Sequence, residues 1–202
     1  MSSLTYGRRA GLWPTVALIV CAGAASSLTA RRLSAQAVSL RVSGIDMYGG
    51  IVLPKDSELG VAFGARVGLA DLFDGAARAG FELDWWTAKR SGADLKVRDI
   101  IAGFAVWREF GDSNSLRPFL GLGTALHAVD VSRADGTRLL AGESAEADQL
   151  DGYRMGGDAF AGLTLKLTQT GAVWLVVEYR YAALSSIAHH EIRAGARLLA
   201  AK

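Results

Sequence analysis

The chain has 202 residues, half of them hydrophobic, and 22 Lys and Arg against 20 Asp and Glu for a formal net charge of +2. That is enough chain for one well-filled domain and too apolar a mixture for intrinsic disorder. The cations are scattered among nearly as many acids, which excludes a phosphate-backbone binder and with it a nucleic-acid partner, because such proteins gather a basic excess on one face.

Arg8 and Arg9 precede an apolar run over 12–25, and small residues follow as far as Ala35-Gln36-Ala37, an A-x-A cleavage pattern. Residues 1–37 are therefore expected to be a cleavable secretory signal peptide and residues 38–202 the mature domain, with Ala22-Gly23-Ala24 as a second cleavage point. The run is shorter than the roughly 20 residues a spanning helix needs, which weighs against an uncleaved anchor. The residues around the Arg pair match a twin-arginine signal poorly, so general secretion is expected. Cys21 is the only cysteine and lies inside the run behind Val20, too bulky for a lipoprotein site. The mature chain then has no thiol for disulfide or redox chemistry.

Beyond residue 37 there is no second apolar run of spanning length, so any membrane crossing must use strands. Val38, Leu40 and Val42 begin an alternation over 38–53 that Pro54, Lys55, Asp56 and Ser57 break. The cleanest period-two run follows. Leu59, Val61, Phe63, Ala65, Val67 and Leu69 form an apolar face against Gly60, Ala62, Gly64, Arg66 and Gly68. After an Asp74-Gly75 turn, Ala77, Ala79, Phe81, Leu83 and Trp85 alternate with Arg78, Gly80, Glu82, Asp84 and Trp86, which predicts a hairpin.

Residues 89–94 read as a loop into a strand over 95–110. Lys96 and Arg98 share a face with Ile100 there, so a bulge is expected near Asp99. The strand over 116–131 sets Leu120, Leu122, Thr124 and Leu126 against Gly121, Gly123, Ala125 and His127. Residues 132–151 read as an exposed, structureless loop. Alternation resumes over 153–167. In the stretch 172–183, Val173, Leu175, Val177, Tyr179 and Tyr181 oppose Glu178 and Arg180. Last, Ile192, Ala194, Ala196 and Leu198 oppose Glu191, Arg193, Gly195 and Arg197.

About eight strands result. Connections after the second, fourth and sixth are expected to be tight, and those after the first, third and fifth longer and more polar, as in small membrane barrels. The polar faces combine small residues with Arg66, Glu82, Asp84, Lys166, Glu178, Arg180, Arg193 and Arg197. A narrow lumen needs that mixture, because glycines leave room for long side chains and every buried charge needs a partner. These eight residues are the expected structural ionic network of the interior. Trp85, Trp107, Trp174, Tyr153, Tyr179 and Tyr181 lie toward strand ends, where rings at headgroup level are expected, although Trp86 and Trp174 fall on faces read as interior.

Arg117-Pro118-Phe119-Leu120-Gly121-Leu122-Gly123, the stretch 156–167 and Val177-Glu178-Tyr179-Arg180-Tyr181 resemble the pattern of small bacterial outer-membrane β-barrel proteins of the opacity-protein and outer-membrane protein A type. The resemblance implies an all-β, eight-stranded antiparallel up-and-down transmembrane barrel in the bacterial outer membrane. Its implied partners are outer-membrane lipid, lipopolysaccharide and the barrel-assembly machinery, and it implies a monomer with no cofactor. Such chains usually end in an aromatic residue, whereas this one ends Leu198-Leu199-Ala200-Ala201-Lys202.

No catalytic, cofactor or metal site is expected. Ser185, Ser186, His189, His190 and Glu191 are the types used by lipid A deacylase barrels, but adjacent histidines in a strand point to opposite faces, and the segment reads as a polar extracellular loop. Gly121-x-Gly123 lacks the following helix of a nucleotide loop. His127 reads as a lumen residue. Asp130, Asp135, Glu143, Glu146, Asp148 and Asp151 show no ligand spacing for a divalent cation. A structural or surface-exposed barrel is thus the expected function, with a barrel enzyme acting on lipid or a small porin-like transporter as the alternative.

Overall fold

A computed structural model describes residues 42–72, 76–111, 115–140, 142–184 and 187–199. The expected signal peptide at 1–37, the start of the first predicted strand, and Ser185 and Ser186 lie outside the described residues. Eight strands, β1 (Gly44–Pro54), β2 (Gly60–Leu72), β3 (Ala77–Lys89), β4 (Leu95–Glu109), β5 (Leu116–Arg133), β6 (Gly152–Lys166), β7 (Val173–Leu184) and β8 (His189–Leu199), follow in chain order around a closed barrel. Each pairs antiparallel with its sequence neighbours, and β8 returns to β1 through a ladder from Gly44↔Leu199 to Pro54↔His189. Closure leaves no unpaired edge, the requirement for strands in lipid.

Alternation then sorts the side chains. Ile51, Phe63, Leu83, Phe104, Leu122, Leu163, Val177 and Ile192 are all exposed on the outer wall, whereas Arg66, Glu82, Asp84, Glu178, Arg180, Arg193 and Arg197 are buried inside. On β4 the outward apolar stretch lies between Arg98 and Arg108. At about 3.3 Å per residue and a tilt of about 40°, it is about 25 Å tall, the height of a lipid-facing band.

Four local expectations are corrected. The β4 ladder runs without interruption past Asp99, and the irregularity lies in β2, between Gly68 and Ala70. Lys96 and Arg98 share the outward face with Ile100 because they stand above the apolar band, so no bulge is needed. Connection lengths do not alternate as expected. Residues 55–59, 90–94 and 185–188 at one end are about as short as 73–76, 110–115 and 167–172 at the other, and 134–151 alone is long. Polarity near a strand end marks height above the lipid band and not the end of the ladder: Ser132 and Arg133 still belong to β5.

The segment 132–151 is not structureless. It contains a short helix, α1 (Ala145–Leu150), whose N-cap Ser144 accepts a hydrogen bond from the Ala147 amide through its hydroxyl at 3.2 Å. Ala147 and Leu150 are buried in an apolar cluster with Val52, Leu95, Val97, Val131 and Ile187 that fills the barrel end bearing this helix. Arg90 fastens the same end, donating to the Lys55 carbonyl at 2.6 Å and to Glu146 at 2.5 Å. Finally, His189 and His190 belong to β8 rather than to a loop.

Candidate functional site

Below the apolar cluster the interior is ionic. Glu82 and Asp84 rise from β3, Arg66 from β2, Glu178 and Arg180 from β7, and Arg193 and Arg197 from β8. Arg66 hydrogen-bonds Glu82 through Nε and donates to Glu178 through Nη2 at 2.9 Å. Arg180 grips both Glu82 oxygens, at 2.7 and 2.8 Å. Arg193 donates to Glu178 through Nε at 2.9 Å and to Asp84 at 3.2 Å. Such two-pronged guanidinium–carboxylate contacts are the strong form of the hydrogen bond, and here they are fully desolvated.

Six of the eight expected network residues are brought together in this way, and Arg197 joins them through Asp46, which lies 3.9 Å from Arg66. Lys166 is not among them: it has the inward parity but sits half-buried at the end of β6, in a layer below the main cluster. Face was legible there and height was not.

The network also recruits side chains that the sequence reading left out. Tyr48 donates to Asp84 Oδ1 at 2.7 Å, and its ring lies 3.8 Å from the Arg193 guanidinium. Asp46 takes Arg197 at 2.6 and 2.9 Å. Asp158 lies 3.4 Å from Arg180, Glu191 lies 3.5 Å from Arg193, and Glu109 accepts from Arg197. The available signal was parity: Asp158 alternates in step with Gly162 and Thr164, and Glu191 with Arg193.

Aromatic rings fill the space between the charges. Phe160 lies under both Arg66 and Arg180, at 4.5 and 4.8 Å. It fits because position 121 is glycine; a Cβ there would stand 2.2 Å from the Phe160 ring. Trp107, expected at headgroup level, is buried inside at 5.1 Å from the Arg66 guanidinium, and Trp174 is buried beneath Arg117 at 4.7 Å. Trp85, Tyr153, Tyr179 and Tyr181 do face outward, Trp85 stacking on Phe63. A strand-end aromatic fits either side of the wall, and only its parity decides.

The histidines divide as alternation requires. His127 is buried with Nδ1 2.7 Å from Asp99. His189 is buried beside Trp86, and His190 is outside, its Nδ1 2.7 Å from the Tyr179 hydroxyl. The imidazoles of positions 189 and 190 cannot serve one nucleophile. Among the described residues no group of three or more His, Cys, Asp or Glu is placed to hold a metal ion.

No family model and no curated protein sequence matches the chain. Among solved structures it is similar to Neisserial surface protein A (NspA), with 19% identity over 78% of this chain and 96% of that one and a TM-score of 0.54. The N-terminal β-barrel domain of Pseudomonas aeruginosa OprF gives 12% identity over 78% and 97% of the two chains at a TM-score of 0.47. Ail, the attachment invasion locus protein of Yersinia pestis, gives 13% identity over 78% and 100% at 0.44. A closed wall of eight antiparallel strands, an apolar outer band, a charged and filled interior and the likeness to NspA together give this chain the fold of the small outer-membrane β-barrels.

Proposed function

We propose that the protein is a structural, surface-exposed barrel of the bacterial outer membrane that holds its loop end rigidly at the cell surface for interaction or envelope integrity. The filled interior carries this reading. Arg66, Arg180 and Arg193 with their carboxylates occupy the middle of the lumen, and the apolar cluster around Leu150 closes the end above them, so the barrel is a rigid pillar rather than a conduit. The similar protein NspA is itself named a surface protein.

In this reading residues 1–37 direct export and are removed, and the assembly machinery inserts the barrel as a monomer. Lipid and lipopolysaccharide contact the outer band, and the end with 134–151 faces outward, because outer-membrane barrels place their longer loops there.

A heat-modifiability gel on outer-membrane fractions tests location and closure together: a band that shifts on boiling is expected. Conductance in planar bilayers should stay at background. Steady ion conductance would favour a transporter instead, and lipid hydrolysis abolished by His190→Ala would favour a barrel enzyme.

A further inference from the structure

Toward the end bearing α1, the outward faces of the strands carry their cations in one sector. There β6, β7 and β8 present Tyr153, Tyr181 and His190, whereas β3 and β4 present Lys89, Lys96 and Arg98. Arg98 is answered by Asp130 on β5 at 3.2 Å. The two lysines are not answered.

Lys89 and Lys96 are direct partners in the β3–β4 ladder and share its outward face, so their Cβ atoms stand about 5 Å apart. Among the described residues no carboxylate forms an ion pair with either: Glu58 and Asp94 in the adjoining connections pair with neither, and Asp56 lies 3.7 Å from Arg90. Residues 1–41 contain no Asp or Glu, Ala141, Ser185 and Ser186 add none, and Asp74 and Asp112 belong to connections at the opposite end. Like charges set directly opposite one another weaken a strand pair, and an anion shared between them removes that cost.

Their height identifies the anion. Lys96 stands two residues above Arg98, the upper limit of the apolar band on β4, so both ammonium groups are at the level of lipid headgroups. Below them on the same face come the ladder pairs Trp85↔Ile100 and Leu83↔Ala102, an apolar path for the chains of a lipid whose headgroup is held above.

We propose that Lys89 and Lys96 together bind the anionic phosphate of a membrane lipid and make this sector of the wall a preferred lipid seat. The proposal goes beyond the display reading, because it needs a closed barrel in lipid but neither an outward loop end nor any role for that end.

Trp85 reports on the seat. It faces outward about 10 Å below the lysines in depth, whereas Trp86, Trp107 and Trp174 are buried in the lumen. The test places the purified protein in phosphatidylcholine nanodiscs with a fixed fraction of mid-chain dibrominated lipid, either phosphatidic acid or phosphatidylcholine. Quenching is read against a Trp85→Phe blank. Stronger quenching by the brominated phosphatidic acid is expected. Lys89→Gln and Lys96→Gln should each lower that preference about fivefold, the effect of one ammonium group at a headgroup, and the double variant should abolish it. Arg108→Gln, at the opposite end of β4, should leave it unchanged.

A heat-shifted band from each variant verifies that the barrel is closed, so loss of the seat and loss of the fold are read separately. Equal quenching by the two brominated lipids in the unmodified protein overturns the proposal. So does a preference that survives the double substitution, or one that Arg108→Gln lowers to the same extent.

Discussion

Arg66 and Glu178 meet across the lumen, Nη2 to Oε2 at 2.9 Å, from positions 112 residues apart. Arg66 is on β2 and Glu178 on β7, strands that do not border one another, so the contact exists only because the sheet closes. Glu178 also serves Arg180 and Arg193. Replacing it with Leu should leave three buried guanidiniums short of an acceptor and cost about 3 to 5 kcal/mol. The unfolding midpoint in detergent measures this; an unchanged midpoint would mean that the interior face is solvated.

Gly195 on β8 marks the seam where the barrel closes on β1. A Cβ there would stand 1.9 Å from the Met47 carbonyl oxygen and 2.6 Å from the Tyr48 Cα, both of them backbone. No rotamer change relieves such a contact. Gly195→Ala should therefore prevent or severely weaken closure, seen as loss of the heat-shifted band, while Ala194→Gly on the outer face should retain it.

The helix in the long connection is held by burial rather than by length, since six residues do not sustain a helix in water. Leu150→Ala should cost about 2 kcal/mol or more locally and expose 134–151 to protease without unfolding the wall. Arg90→Ala should act in the same direction through Glu146 and the Lys55 carbonyl. Cleavage unaffected by either change would show that the helix is anchored elsewhere.

In the same connection the Thr137 amide and hydroxyl hold the Asp135 carboxyl below its usual range, and the Leu140 amide with Arg133 does so for Glu143. A depressed carboxylate stabilises above its unfolded value, and that contribution is lost as pH falls through its folded one. Hydrogen exchange at the Thr137 and Leu140 amides should thus be protected at neutral pH and accelerate, relative to intrinsic rates, as the medium is acidified below the carboxylate range. Asp135→Asn should weaken that dependence at Thr137.

Strand faces were legible in the sequence. Val173 to Tyr181 outward and Glu178 with Arg180 inward follow from period two alone, and β8 is equally clear. Heights were not. Whether two inward residues from different strands share a layer depends on the stagger of the closed sheet, which alternation does not encode, so the sequence does not separate Lys166 from residues a layer away. Asp46 and Tyr48 are not legible, because the alternation that starts at Val38 loses its face at Gly44, Gly49 and Gly50. Leu150 and Ala147 looked like loop because their apolar contacts come from β1, β4 and β5, far away in sequence.

The stacking of an apolar cluster over the ionic layer also determines which charges the surrounding electrolyte can reach. Mobile ions screen exposed pairs over a Debye length of about 8 Å at physiological strength, but they do not enter a sealed interior. Raising the salt should loosen the outer Arg98–Asp130 and Arg133–Glu143 pairs and leave Arg66, Glu82, Glu178 and Arg180 untouched. The wall of this barrel would then keep its strength from fresh water to brine, while its two ends respond to the medium.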